Sequence, residues 1–177
     1  LSAPAGEAPA APEADPVQEF RMHTELAGVY TNYRKYDEAQ KHYNLALELP
    51  VPDPLKSETY MQMARMARIQ RNNAVALARM EKAIELAGGA DQRSRLYPEL
   101  ILLLQQEQKW KEGEEAIRRL MADAPTEEGK RQASRYLVEL HQAQGTLETL
   151  AQQLEEQRRA RPESALLLET LGYIYQE

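Results

Sequence analysis

The sequence predicts an all-α fold made of stacked antiparallel helix pairs, and three observations carry that expectation. The 177 residues are 42% hydrophobic, yet with one Trp and one Phe the apolar content comes mainly from Ala and Leu. Together with abundant Glu, Gln, Arg and Met and sparse Val, Ile and Thr, this composition favours helix throughout. From Val17 onward apolar residues recur at helical spacing. Most telling, Tyr30, Ala67, Leu104 and His141 occupy equivalent places in a register of 37 residues, and Tyr175 follows 34 residues after the last of them.

The register also orders the second helix of each pair. It places small residues at Ala39, Ala76 and Gly113, with Leu150 as the exception. One turn later come the bulky Tyr43, Met80, Ile117 and Leu154, then Ala46, Ala83, Leu120 and Gln157. A small residue lets two helices approach, and the bulky one beside it fills the gap. The second helices are expected to close near Val51 with its flanking Pro50 and Pro52, Gly88, Pro125 and Pro162, residues that stop a helix or follow its end. Each pair leaves an apolar face that only the next pair covers. Burying one such Leu, Tyr or Met contributes about 1.5–3 kcal/mol, so the stack from 17 to 177 is expected to be one domain.

Leu1–Pro16 stands apart in composition. Pro4, Pro9, Pro12 and Pro16 are set among six alanines and three acids, with no Lys or Arg. Such spacing of Pro favours extended chain, which reads as a tail or linker. The chain starts at Leu1 with no charged-then-apolar leader, so it is expected to be a piece of a longer protein.

Several function classes find no support. With 22 basic and 28 acidic residues and a net charge of −6, the chain has no global electrostatic footprint for nucleic acid. The longest apolar run, Leu100–Leu104, is far short of the roughly 20 residues of a membrane-spanning helix. The absence of Cys removes disulfides, thiolate metal sites and cysteine nucleophiles. His23, His42 and His141 form no HExxH pattern, and His141 falls in a core slot of the fourth first helix. Gly129-Lys130 lacks the rest of a phosphate loop. Glu112, Glu114 and Glu115 alternate with Lys109, Lys111, Arg118 and Arg119 as on a solvated helix face. No enzyme activity, cofactor or metal is therefore expected.

The first pair, Leu26-Ala27-x-x-Tyr30 followed by Tyr36, Ala39, Tyr43, Ala46-Leu47 and Pro50, resembles a tetratricopeptide repeat (TPR). The second copy runs through Tyr60, Met63-Ala64, Ala67, Ala76, Met80 and Ala83. The third runs through Tyr97, Leu100-Ile101, Leu104, Trp110, Gly113, Ile117, Leu120 and Pro125. A degenerate fourth spans Leu137-Val138 to Pro162, and Leu171-Gly172-x-x-Tyr175 restores a first-helix signature. The resemblance implies a right-handed α-solenoid, a TPR-like superhelix of four helix pairs plus a fifth first helix. The family period is about 34 residues, and the three extra residues are expected in the turns between pairs, as Pro50-Val51-Pro52-Asp53-Pro54 suggests.

What the resemblance implies for function is a non-catalytic scaffold that binds a partner peptide or helix in a groove lined by the first helices. It places in that groove Asn32, Gln62, Arg65, Arg68, Leu102, Gln105, Gln106, Arg135, Glu139, Gln142 and Tyr173. Arg65 and Arg68 share one helix face, with Arg95 and Arg135 on the same side of later helices, an arrangement suited to an acidic or polar segment of the partner. At the C-terminal edge Leu167, Leu171 and Ile174 are expected to form an interface, with Leu167 and Ile174 lacking a covering helix and further repeats following Glu177. The other expectation is a self-associating solenoid, joined through that edge or the N-terminal tail. An Ala/Pro-rich leader before such repeats resembles bacterial envelope proteins of pilus and secretin assembly, which implies a periplasmic or envelope location.

Overall fold

The computed structural model describes residues 15–176, and most of the expected tail lies outside them. Among the described residues there are nine α-helices: α1 (Pro16–Asn32), α2 (Tyr36–Glu48), α3 (Asp53–Ile69), α4 (Asn73–Leu86), α5 (Ala90–Gln106), α6 (Trp110–Asp123), α7 (Glu127–Gln144), α8 (Leu147–Ala160) and α9 (Ala165–Ile174). The chain divides into two compact units, one up to Val51 and one from Pro52. The first holds the hairpin α1–α2, and the second holds α3–α9.

Local chemistry starts several of these helices. Pro16 is not tail but the first turn of α1, where its fixed φ suits the helix and its missing N–H is not needed; the Asp15 side chain accepts from Val17 N. Asn72 accepts from Val75 N at the start of α4, and Thr126 accepts from Gly129 N at the start of α7.

The 37-residue register is written into the backbone at the turn inside each pair. Arg34, Arg71, Gln108 and Gly145 all have positive φ, between 54° and 74°. The next residue in each turn bonds back to the registered first-helix position: Lys35 N to Tyr30 O, Asn72 N to Ala67 O, Lys109 N to Leu104 O and Thr146 N to His141 O, all at 2.8–2.9 Å. The left-handed residues themselves bond to the carbonyls of Thr31, Arg68, Gln105 and Gln142. These are four copies of one Schellman turn, which satisfies the last carbonyls of the first helix while reversing the chain.

The extra length of the repeat lies elsewhere than expected. The links between pairs are short, 49–52, 87–89, 124–126 and 161–164, whereas α1, α3 and α5 have 17 residues each against 13–14 in α2, α4, α6 and α8. The expectation of lengthened turns is corrected. The added residues extend the first helices by nearly one turn, with the prolines near 50–54 marking only the junction.

In the first unit Ala27, Ala39 and Ala46 are fully buried with Tyr43 and Phe20. In the second, one core runs through α3–α7 from Ala64, Ala76 and Met80 to Ile101, Leu103, Ile117 and Leu140. Gly113 marks a close approach of α6 to α7, because a Cβ there would stand 3.1 Å from Leu140 Cδ1. Polar bonds pin the pairs: Ser57 Oγ donates to the buried carbonyl of Ala83 at 2.6 Å, and Arg93 grips Asp123 through two bonds of 2.7 and 2.8 Å. The Arg93 guanidinium holds the Asp123 carboxyl below the usual carboxylate range.

A second core cluster joins α7, α8 and α9 through Val138, Leu150, Leu154, Leu171 and Ile174. Leu171 and Ile174 are therefore buried at 4% and 8% exposure, and the expected interface loses both. The α9 stripe of Thr170, Leu171 and Ile174 turns inward onto α7 and α8, leaving Leu168 as the exposed leucine of that helix; Leu167 is half-buried. The degenerate fourth pair shows its departure locally. Gln157 is exposed, and with Leu150, Leu154, Ile117 and Leu166 it lines a cavity of about 390 Å³ between α6, α7, α8 and α9.

The left-handed turns give a direct test. A non-glycine residue at positive φ costs about 1–2 kcal/mol, partly offset by the greater freedom glycine gives the unfolded chain. Arg34→Gly, Arg71→Gly and Gln108→Gly are each expected to raise stability in urea unfolding by up to about 1 kcal/mol, and Gly145→Ala to lower it by about as much.

Candidate peptide-binding groove

The first helices of the second unit frame a cavity of about 470 Å³. It is lined from α3 by Arg65 and Arg68, from α5 by Pro98, Glu99, Ile101, Leu102 and Gln105, and from α7 by Tyr136 and Glu139. A smaller one of about 190 Å³ follows, lined by Arg135, Val138, Glu139 and Gln142 of α7 and Tyr173 and Gln176 beyond. Glu139 belongs to both walls. Helical periodicity explains the arrangement. Residues three or four apart share a face, so Arg65 with Arg68, Leu102 with Gln105, and Arg135 with Glu139 and Gln142 project together while Met66, Leu103 and Leu140 turn into the core.

Of the residues expected in the groove, Arg65, Arg68, Leu102, Gln105 and Glu139 meet around the larger cavity, and Arg135, Glu139, Gln142 and Tyr173 around the smaller. Gln106, the last residue of α5, is exposed and lines neither. Asn32 ends α1 in the first unit, also exposed. Arg95 is absent from both walls and pairs with Asp91 on its own helix at 2.6 Å.

The electrostatics differ from the expected open arginine group. Arg65 Nε donates to Glu99 Oε2 at 2.9 Å, and Arg68 Nη2 lies 3.9 Å from Glu99 Oε1. Arg135 donates to the Tyr173 hydroxyl at 3.1 Å and lies over its ring, 5.1 Å from the centroid. Further along, Arg131 bonds Glu169 at 2.8 Å. The arginines thus stitch α3 to α5 and α7 to α9 before any ligand arrives. In the larger cavity the charges of Arg65, Arg68, Glu99 and Glu139 sum to zero. An acidic ligand would have to compete with Glu99.

Two acceptors are left over. Glu99 Oε1 is buried without a hydrogen-bond partner, and Glu139 makes no ion pair or hydrogen bond among the described residues. Glu99 and Tyr136 were missed as groove residues, although the signal was present: they stand at the 37-residue positions that follow Gln62 and precede Tyr173.

The first unit holds a contact invisible to motif reading. His23 Nδ1 and His42 Nδ1 are 2.9 Å apart, so one ring nitrogen donates and the other accepts, and the Tyr30 ring stacks on His42 at 5.4 Å. No group of three or more metal-type ligands occurs among the described residues. His141 is buried as its core slot required, with Nδ1 2.9 Å from Thr146 Oγ1 in the Schellman turn.

Removing Arg65 strips Glu99, whose side chain is 14% exposed, of its hydrogen-bond donor. Arg65→Ala is expected to cost about 1–2 kcal/mol, and Glu99→Gln added to it to recover part of that loss, because a neutral amide is cheaper to bury than a carboxylate. A denaturant-based mutant cycle reads this as non-additivity; strict additivity would contradict the pairing.

No protein-family model matches the sequence, and no curated protein matches it. By structure the chain is similar to BtubC (BKLC) from P. vanneervenii, with 17% identity and a TM-score of 0.64 over 86% of this chain and 67% of that one. It is also similar to a kinesin-light-chain-type protein of Podosopora anserina with nearly identical TPR-like repeats, at 16% identity and a TM-score of 0.58, covering 93% of this chain and 88% of that one. A single-residue variant of the latter aligns over the same shares with a TM-score of 0.60. The repeated Schellman turns, the paired helices and these neighbours agree: the chain has an all-α, TPR-like helical-repeat fold.

Proposed function

We propose that this chain is a non-catalytic interaction scaffold that holds an extended segment of a partner protein against α3, α5 and α7. The observation that carries the reading is the larger cavity. Its floor combines exposed apolar surface, Leu102 at 41% exposure, with half-buried Tyr136 and Gln105, the Arg68 guanidinium and the exposed Glu139 carboxylate. Apolar surface supplies binding energy and the few convergent polar groups fix a main chain's register. The surrounding helices are held by buried core and inter-helix bonds, so little ordering cost falls on the scaffold.

The test selects ligands from a displayed library of random decapeptides on the immobilised chain and measures the winners by fluorescence polarisation. Leu102→Glu places a charge on the groove floor at an exposed position and is expected to weaken binding at least about tenfold. Leu168→Glu, on the outer side of α9, is expected to leave it unchanged. Ligands insensitive to Leu102→Glu would refute the groove.

A second reading, self-association, is favoured by one surface. Met22, Leu26 and Val29 of α1 and its C-cap residue Tyr33 recur at helical spacing and are 50%, 37%, 50% and 75% exposed. That stripe, rather than Leu171 and Ile174, is where an assembly contact would form, and an envelope assembly role rests on it together with the composition of 1–16. Sedimentation velocity is expected to show concentration-dependent association that Val29→Glu abolishes; a strict monomer at all concentrations removes this reading.

A further inference from the structure

We propose that the groove selects a basic partner segment: a Lys or Arg side chain seated on Glu139, with a backbone carbonyl of the segment accepting from Arg68. The inference rests on the groove reading above and reverses the acidic ligand that the arginines suggested. Arg65 and Arg135 are engaged. Arg65 is hydrogen-bonded to Glu99, and Arg135 is both bonded to and stacked on Tyr173.

What the groove leaves open are the Glu139 carboxylate and the donors of Arg68, which lies 3.9 Å from Glu99. Glu139 is exposed, lacks an ion pair among the described residues, and stands on the wall shared by both cavities. A cation there gains a charge-assisted bond, and its aliphatic stem finds Leu102 and the Tyr136 ring in the same cavity. The other wall presents a mismatched pair. Glu99 Oε1 is buried and lacks a donor, while Arg68 Nη2, 3.9 Å away, is beyond hydrogen-bond range. Burial closes Glu99 Oε1 to a ligand, but the Arg68 guanidinium, 39% exposed, can donate to a backbone carbonyl of the segment. The chain's net charge of −6 adds long-range attraction for a basic partner.

The test uses three pools of acetylated, amidated decapeptides that differ only at alternate positions, filled with Lys or Arg, Asp or Glu, or Ser or Gln. Each is titrated against the full chain by fluorescence polarisation. The basic pool is expected to bind at least about tenfold tighter than the acidic one. Glu139→Lys is expected to abolish that preference, whereas Glu112→Lys, an equal change of net charge in another cavity, preserves it. If Glu112→Lys acts as strongly as Glu139→Lys, the attraction is net charge alone and the assignment falls. A tightest-binding acidic or neutral pool that is sensitive to Leu102→Glu overturns the basic assignment and leaves the groove standing. Failure of all three pools overturns both.

Discussion

The Schellman turn inside each helix pair is the constraint on which the rest depends. Four times the chain leaves a first helix through one left-handed residue and bonds its next N–H to the registered carbonyl of Tyr30, Ala67, Leu104 or His141. That geometry fixes how far the second helix begins from the end of the first. It thereby decides which residue of the second helix meets the crossing point, and Ala39, Ala76 and Gly113 are small because they are there. Three of the four left-handed positions are Arg or Gln rather than Gly. Conformational cost is accepted at those turns and offset by satisfied carbonyls and by the packing that follows.

Rigid pairing has a consequence for the surface. With the core taking Ala64, Met66, Leu103 and Leu140, the alternate face of each first helix is left for polar and mixed side chains, and α3, α5 and α7 bring theirs together. Arginines on that face serve the architecture first, since Arg65, Arg131 and Arg135 each reach a partner on the next first helix. The recognition chemistry is what remains after those bonds are made. This is why residue type alone pointed to an acidic ligand, whereas the ligand proposed from the contacts is basic.

Much of the fold was legible because it is periodic. A 37-residue register in small and bulky residues marks the second helices, and prolines and Gly88 mark their ends, so helix count and pairing were legible from that spacing and the tetratricopeptide resemblance it carries. The left-handed turns were not legible, because Arg34, Arg71 and Gln108 lack the glycine that announces such a turn; only Gly145 does. The burial of Ile174 was missed because a short apolar helix does not reveal which side faces its neighbours. In the groove, Arg65, Arg68, Leu102, Gln105 and Glu139 came from the tetratricopeptide resemblance, which assigns one face of the first helices to the groove. Glu99 and Tyr136 were within the register's reach, but the Arg65–Glu99 bond that sets the charge balance joins residues 34 positions apart across two helices. Pairings of that kind depend on side-chain reach in three dimensions.

The central claim is that α3, α5 and α7 together form one binding surface. Backbone-amide NMR of the full chain, recorded while a tight-binding peptide is titrated in, addresses it most directly. The account predicts shift changes clustered at Arg68, Leu102, Gln105, Tyr136 and Glu139 on the three helices. Changes confined to α1, or to the cavities beside α4, α6 and α8, with the α3–α5–α7 face silent, would contradict it.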